Sequence, residues 1–282
     1  MARIVSTAAA YQQLADVPDG EDRTAVWVRD YEARYPSIFQ SYYSGWGKVG
    51  RRESAAGRVR ELAASIEHRE WRARLLVDRV EASLRAHELL DDAAVSAVLL
   101  VGVGTSNGWV ARWEGAPTLF LALELLPDLP YDHVLVVHEM THLAHERAAR
   151  GIWPETVGTR VFAEGLASAV SARVVPGLRL DEYLWFDDAH RTWLGDCEER
   201  RFEIRDAVLT DLGLDEGLGD RFFSAGPERC AGLPIRSGYW IGLLALQRLL
   251  AAEPGRSARG LLRWDADTAT ERLATAMYQM WP

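Results

Sequence analysis

The sequence predicts an α+β fold: a helical N-terminal region, then a small mixed sheet, then a mostly helical C-terminal part. Three observations carry this. Residues 22 to 90 space their apolar side chains at helical intervals; residues 93 to 126 switch to short β-branched and alternating runs; from Tyr131 onward the helical spacing returns. Strands followed by helices, without βαβ alternation, exclude a doubly wound sheet.

Residues 22 to 46 set Trp27, Tyr31, Tyr35, Phe39, Tyr42, Tyr43 and Trp46 at loosely helical spacing, and Gly45, Gly47 and Gly50 end the segment. An aromatic stripe of this kind is expected in a core. From Glu53 to Leu90, Leu62, Ile66, Leu75, Leu76, Val80, Leu84 and Leu89 recur among Arg and Glu, as in one long helix or two. "AAVSAVLLVGVG", "GWVARW" and "PTLFLALELL" then read as three strands, the last after a Gly-Ala-Pro turn. "VGVGTSNG" has the glycines of a dinucleotide loop but no helix after it, so no nucleotide cofactor is expected. Helices are expected at 131–150, 155–173, roughly 181–211 and 238–252.

At 282 residues and 48% hydrophobic composition the chain can bury one large core or two modest ones. A net charge of -9, scattered arginines and a single lysine, Lys48, argue against a nucleic-acid partner, because phosphate binding needs clustered cations. No apolar run reaches membrane-spanning length, and the first residues lack a basic lead with an apolar stretch, which predicts a cytoplasmic protein without a membrane partner. Two cysteines, Cys197 and Cys230, are too few for a disulfide framework and are expected to be reduced.

The chemistry concentrates in "VLVVHEMTHLAHE". Residues four apart share a helix face about 5–6 Å apart at Cβ, so His138 and His142 can both reach one ion. Glu139 lies about 100° round the helix, poorly placed as a ligand but well placed to hydrogen-bond a water on the metal. The flanking apolar residues Val134 to Val137, Leu143 and Ala144 predict a packed helix, where an imidazole without a partner is costly. A zinc site of this type needs a third protein ligand. Glu164 supplies it, standing amid Phe162, Leu166 and Ala167 in a helix that Pro154 and Glu155 are expected to open. The small residues Ala163, Gly165, Ala167, Ser168 and Ala169 are expected to let this helix approach the first. His145 is seven residues from His138, about 10.5 Å of rise along an unbroken helix, so it is expected at the surface or behind the ligands.

With "HEMTH" and "FAEGLAS" the chain resembles the gluzincin zinc metallopeptidases over roughly residues 95 to 252, and within them a bacterial family of predicted zinc-dependent proteases. The resemblance implies a zincin-like catalytic domain at 95–282 with the N-terminal helical region 1–94 packed on it, one Zn2+ held by His138, His142 and Glu164, and peptide or protein substrates. It also draws in Tyr239 and Gly242 of "SGYWIG", since several gluzincins begin a later helix with Tyr-x-x-Gly and use the tyrosine at the oxyanion. Arg236, three residues earlier, is a candidate to engage a substrate carbonyl or carboxylate. One departure is Ser168, where some relatives place an aspartate that orients a metal histidine; Asp187, Asp188 and Asp196 are the candidates to replace it.

The implied chemistry is hydrolysis by metal-activated water, with Glu139 as base and Tyr239 at the oxyanion. Trp109, Val110 and Ala111, in a strand expected at a sheet edge, would pair with an extended peptide, with Trp113 beside them. Two other readings stay open: a non-catalytic binding or regulatory protein with structural zinc, and a zinc hydrolase of a small amide or epoxide.

Overall fold

The computed structural model describes residues 2–18, 20–215, 217, 220–252 and 258–281. It divides into two compact units, one of residues 1–86 with 90–132, the other of residues 87–89 with 133–282.

The first unit holds the sheet. Strands β1 (Arg3–Ser6), β2 (Ser96–Leu100), β3 (Gly108–Trp113) and β4 (Ala116–Ala122) lie in the order β1-β2-β4-β3; β1, β2 and β4 are parallel, and β3 runs antiparallel at the edge. The mixed α+β architecture is therefore as the sequence predicts, with one strand more. β1 is four residues long, too short for a period of two to declare itself, and it exists because its backbone pairs with β2 across the 89 residues between Ser6 and Ser96. β2 and β4 are central, and Ala97 to Leu100 and Leu119 to Ala122 are all fully buried, which is why both read as unbroken apolar runs. The β3–β4 hairpin turns on Glu114 and Gly115, both at positive φ, so the expected Gly-Ala-Pro turn is displaced: Ala116 and Pro117 already belong to β4.

The aromatic block is core. Tyr11, Trp27, Tyr31, Phe39 and Tyr42 are buried and meet mostly edge to face at 5.0–6.4 Å. Trp109 on β3 is buried too, stacked between Tyr42 and Phe120. The backbone edge of β3, not the Trp109 ring, faces outward from this sheet. The helical run after Arg52 is two helices, Arg52–Gly57 and the long α1 (Val59–Ala86).

The second unit is helical and carries the motif residues. Helix α2 (Tyr131–Ala148) starts at the junction of the units; α3 (Val157–Val174), α4 (Leu180–Trp185), α5 (Arg191–Glu199), α6 (Arg201–Asp211), α7 (Ser237–Ala252) and α8 (Ala266–Met280) follow. Pro154 and Glu155 do not open α3. Thr156 is its N-cap, in a reciprocal capping box with Thr159, and the N–H groups of Val157 and Gly158 donate to the carbonyls of Leu214 and Leu212. That tertiary pairing leaves the two preceding residues outside. The single helical stretch expected at 181–211 is broken twice. After α4, Phe186 takes a left-handed conformation and Asp187 accepts from Ala189 N–H and from His190 Nδ1, a local turn that competes with helix; Arg200 marks the second break.

No described helix is long and apolar enough to cross a membrane. Cys197 and Cys230 are both free and buried.

Candidate metal centre

α2 and α3 lie side by side, with Ser171 Oγ donating to the carbonyl of Val134. From that register, Glu164, Ser168 and Ser171, at steps of four and three, line the face of α3 that meets α2. Glu164 thereby reaches both histidines. Its Oε2 lies 3.0 Å from His138 Nε2 and 3.3 Å from His142 Nε2, and the two Nε2 atoms are 3.1 Å apart.

These three atoms form a triangle whose corners lie about 1.8 Å from its centre, inside the zinc bond lengths of about 2.0–2.2 Å for nitrogen and oxygen ligands. A single ion above that centre can therefore touch all three at once. The two rings meet edge to face, inclined at 76° with centroids 4.8 Å apart. Two imidazole nitrogens facing one another at 3.1 Å need a proton or a cation between them, the proton being supplied by a neutral ring only in its Nε2–H tautomer. Two imidazoles with one carboxylate is also the donor set of open zinc sites. The residues present fit a metal ion, and His138, His142 and Glu164 form the candidate site.

Electrostatics follow from the packing. Burial favours the neutral form of Glu164, but the charge of His142 and the hydrogen bonds of both imidazoles outweigh it and hold the carboxyl well below its usual range. Burial lowers His138, whereas Glu164 and Glu139 lift His142 against the same burial. Glu139 is 7% exposed and its carboxylate makes no hydrogen bond to a described residue. Burial pushes it up to about 7, helped by Glu164 and opposed by His142. Access is from the side of His142, whose side chain stays 21% exposed against 5% for His138.

α7 completes the surroundings. Of the small residues of α3, Gly165 serves a different neighbour from the one expected: a Cβ on Gly165 would strike the backbone of Gly242, and one on Gly242 would strike the carbonyl of Val161. The two glycines thus set the α3–α7 crossing, one residue after Glu164 and three after Tyr239. Tyr239 stands close enough for the Glu164 charge, after burial, to raise its phenol, and Arg160 hydrogen-bonds it. Arg236 lies over the Tyr239 ring at 4.4 Å. Trp109, Val110 and Ala111 belong to the sheet of the other unit.

His145 is not at the surface. It is buried at 7% exposure, with Trp153 edge-on at 4.4 Å and Phe162 at 5.9 Å, and burial lowers it to about 4. The expected substitutes for the missing aspartate do not orient His138: Asp188 and Asp196 are exposed, Asp187 is engaged by His190, and His138 Nδ1 has no partner among the described residues. Ser168 Oγ, fully buried on the shared face, is likewise without one. Sequence reading missed Phe186, whose ring meets His138 edge-on at 5.6 Å, and Arg160. Arg160 was findable, four residues before Glu164 on the same face; Phe186 was not, because it depends on a left-handed turn after α4.

Comparison with family models, with curated proteins and with solved structures gives no match. The functional reading therefore rests on the site itself.

Proposed function

We propose that this chain hydrolyses peptide bonds, using one zinc ion held by His138, His142 and Glu164 and Glu139 as general base. The observation that carries the proposal is Glu139: a buried carboxylate beside the triad, free of hydrogen bonds to described residues and raised to about 7, suits proton transfer near neutral pH. A zinc ion bound at the triad supplies a Lewis acid and a water whose pKa falls to about 7.

The protein's own groups divide the remaining work. Glu139 takes the proton of the attacking water and returns it to the leaving amine. Tyr239, whose oxygen accepts from Arg160, keeps its hydroxyl hydrogen for the oxygen that becomes negative. Phe186, packed against His138, holds that ring and keeps water from one side of it. The pattern of "HEMTH" with a glutamate from the next helix resembles the gluzincins, which supports the same assignment.

The test is elemental analysis followed by turnover of a mixed peptide library with wild type and Glu139→Gln. One zinc per chain in both, with cleavage only by wild type, is the expected result. Zinc retained by a wild type that cleaves no peptide would overturn the proposal.

A further inference from the structure

Arg236 is built into a column of flat groups. Its guanidinium carbon lies 4.4 Å from the Tyr239 ring centroid and 4.5 Å from that of Trp185. Trp185 in turn stacks on His190 at 3.8 Å with the planes parallel, and His190 is fixed by Asp187 at 2.6 Å. The cation is thus held against two aromatic rings, and its N–H donors are what remain for polar contacts. Of these, Nη2 donates to the carbonyl of Leu184, Nε is buried without a partner, and Nη1 has no described partner.

No carboxylate answers this charge. Arg236 forms no ion pair among the described residues, in a chain whose arginines are otherwise widely paired, including Arg52, Arg72, Arg179 and Arg221. A half-buried cation without a counter-ion is held at a free-energy cost, which a ligand can relieve. Position narrows the ligand. Tyr239, beneath the guanidinium, is the expected oxyanion donor, and Phe186, the residue after Trp185, touches His138. Consistent with this nearness, the Arg236 charge contributes to the lowering of His138.

We propose that Arg236 is the receptor for a carboxylate of the substrate, held in the guanidinium plane close to the scissile bond. This rests on the peptidase reading above and narrows it to peptides with a negative charge near the cleaved bond. An arginine restrained by two aromatic rings and by its bond to the Leu184 carbonyl loses little freedom on binding, so its planar fork suits a carboxylate better than a mobile lysine would. Two sources share this chemistry, the free C-terminal carboxylate and an Asp or Glu side chain.

The test measures equilibrium binding, by calorimetry, of three probes to the zinc-loaded Glu139→Gln protein with either Arg236 or Arg236→Gln: Ac-Ala-Ala-Leu acid, its C-terminal amide, and Ac-Ala-Ala-Glu amide. Tighter binding of the acid over the plain amide by about tenfold or more, lost in Arg236→Gln, assigns the C-terminal carboxylate; the same preference for the Glu amide assigns the side chain. Arg236→Lys, which keeps charge but not the fork, should retain only part of the preference. Equal binding of the three probes by the Arg236 protein overturns the proposal whether or not Arg236→Gln folds. So does Arg236→Gln weakening the neutral amide as much as the acid. Cleavage assays separate the two readings: discrimination without cleavage by wild type removes the peptidase and keeps the carboxylate site, and cleavage without discrimination does the reverse.

Discussion

Glu139→Gln should stabilise the metal-free protein while abolishing its activity. In an unfolded chain this carboxyl titrates near 4.5; burial beside the triad lifts it to about 7. Because the folded value is the higher one, the unfolded state releases its proton first, and stability falls as pH rises from 4.5 to 7 and is level beyond. A gap of that width corresponds to about 3 kcal/mol, taken as the upper end because a relaxed site would recover part of it. Glutamine keeps the shape and cannot ionise. The two proteins should therefore have similar stability at pH 4.5 and differ by up to about 3 kcal/mol in favour of the variant at pH 8, a change of up to roughly 160-fold in the folding constant. Urea denaturation of both proteins in chelator, followed by tryptophan fluorescence at several pH values, measures this difference directly. The burial argument fails if the variant is the less stable at pH 8, or if the difference between the two does not change with pH.

Three further outcomes follow from the same geometry. His145→Phe should remove an acid limb: the histidine is lowered to about 4, so wild type loses up to about 3 kcal/mol as pH falls from 6.5 to 4, a loss absent from the variant's denaturation midpoints. Gly242→Ala puts a methyl group against the carbonyl of Val161, and should cost about 1–3 kcal/mol and loosen zinc retention, read by melting temperature and dialysis against chelator; an unchanged melting temperature would refute the close crossing. Tyr239→Phe should lower kcat about a hundredfold with zinc content unchanged, and a kcat within about twofold of wild type would remove the tyrosine from the chemistry.

The parts of this molecule legible in its sequence are those that a local period fixes. Helical spacing set two histidines on one face, and the apolar neighbours of Glu164 marked its carboxylate as needing a partner; the structure brings the three within 3.3 Å. β2 and β4 declared themselves through continuous apolar runs. What was hidden depends on contacts between distant segments. β1 is a strand only because β2 lies beside it, α3 begins at Thr156 because the carbonyls of Leu212 and Leu214 take its first N–H groups, and Gly165 is small for the sake of Gly242, 77 positions away. The gap after α4 was hidden for a different reason. Neither glycine nor proline announces it, and the turn is made by an Asp side chain bonding its own backbone neighbours.

The empty second tier around His138 also bears on how the site is held. In many metal sites the far nitrogen of each histidine donates to a carboxylate or carbonyl, which fixes the ring. Here His138 Nδ1 and the fully buried Ser168 Oγ lack partners among the described residues, while Phe186 closes on the same imidazole from the side. Packing replaces hydrogen bonding as the main restraint on this ring. A ring held by contact alone keeps its orientation only while its Nε2 is engaged, so the triad geometry and the packing of α2 against α3 depend on one another. An ion held by His138, His142 and Glu164 would then do more than supply chemistry: it would add a link between two helices already tied by Ser171 to Val134. Binding energy spent there is folding energy for this helical unit, which is why loss of metal and loss of stability are expected to travel together.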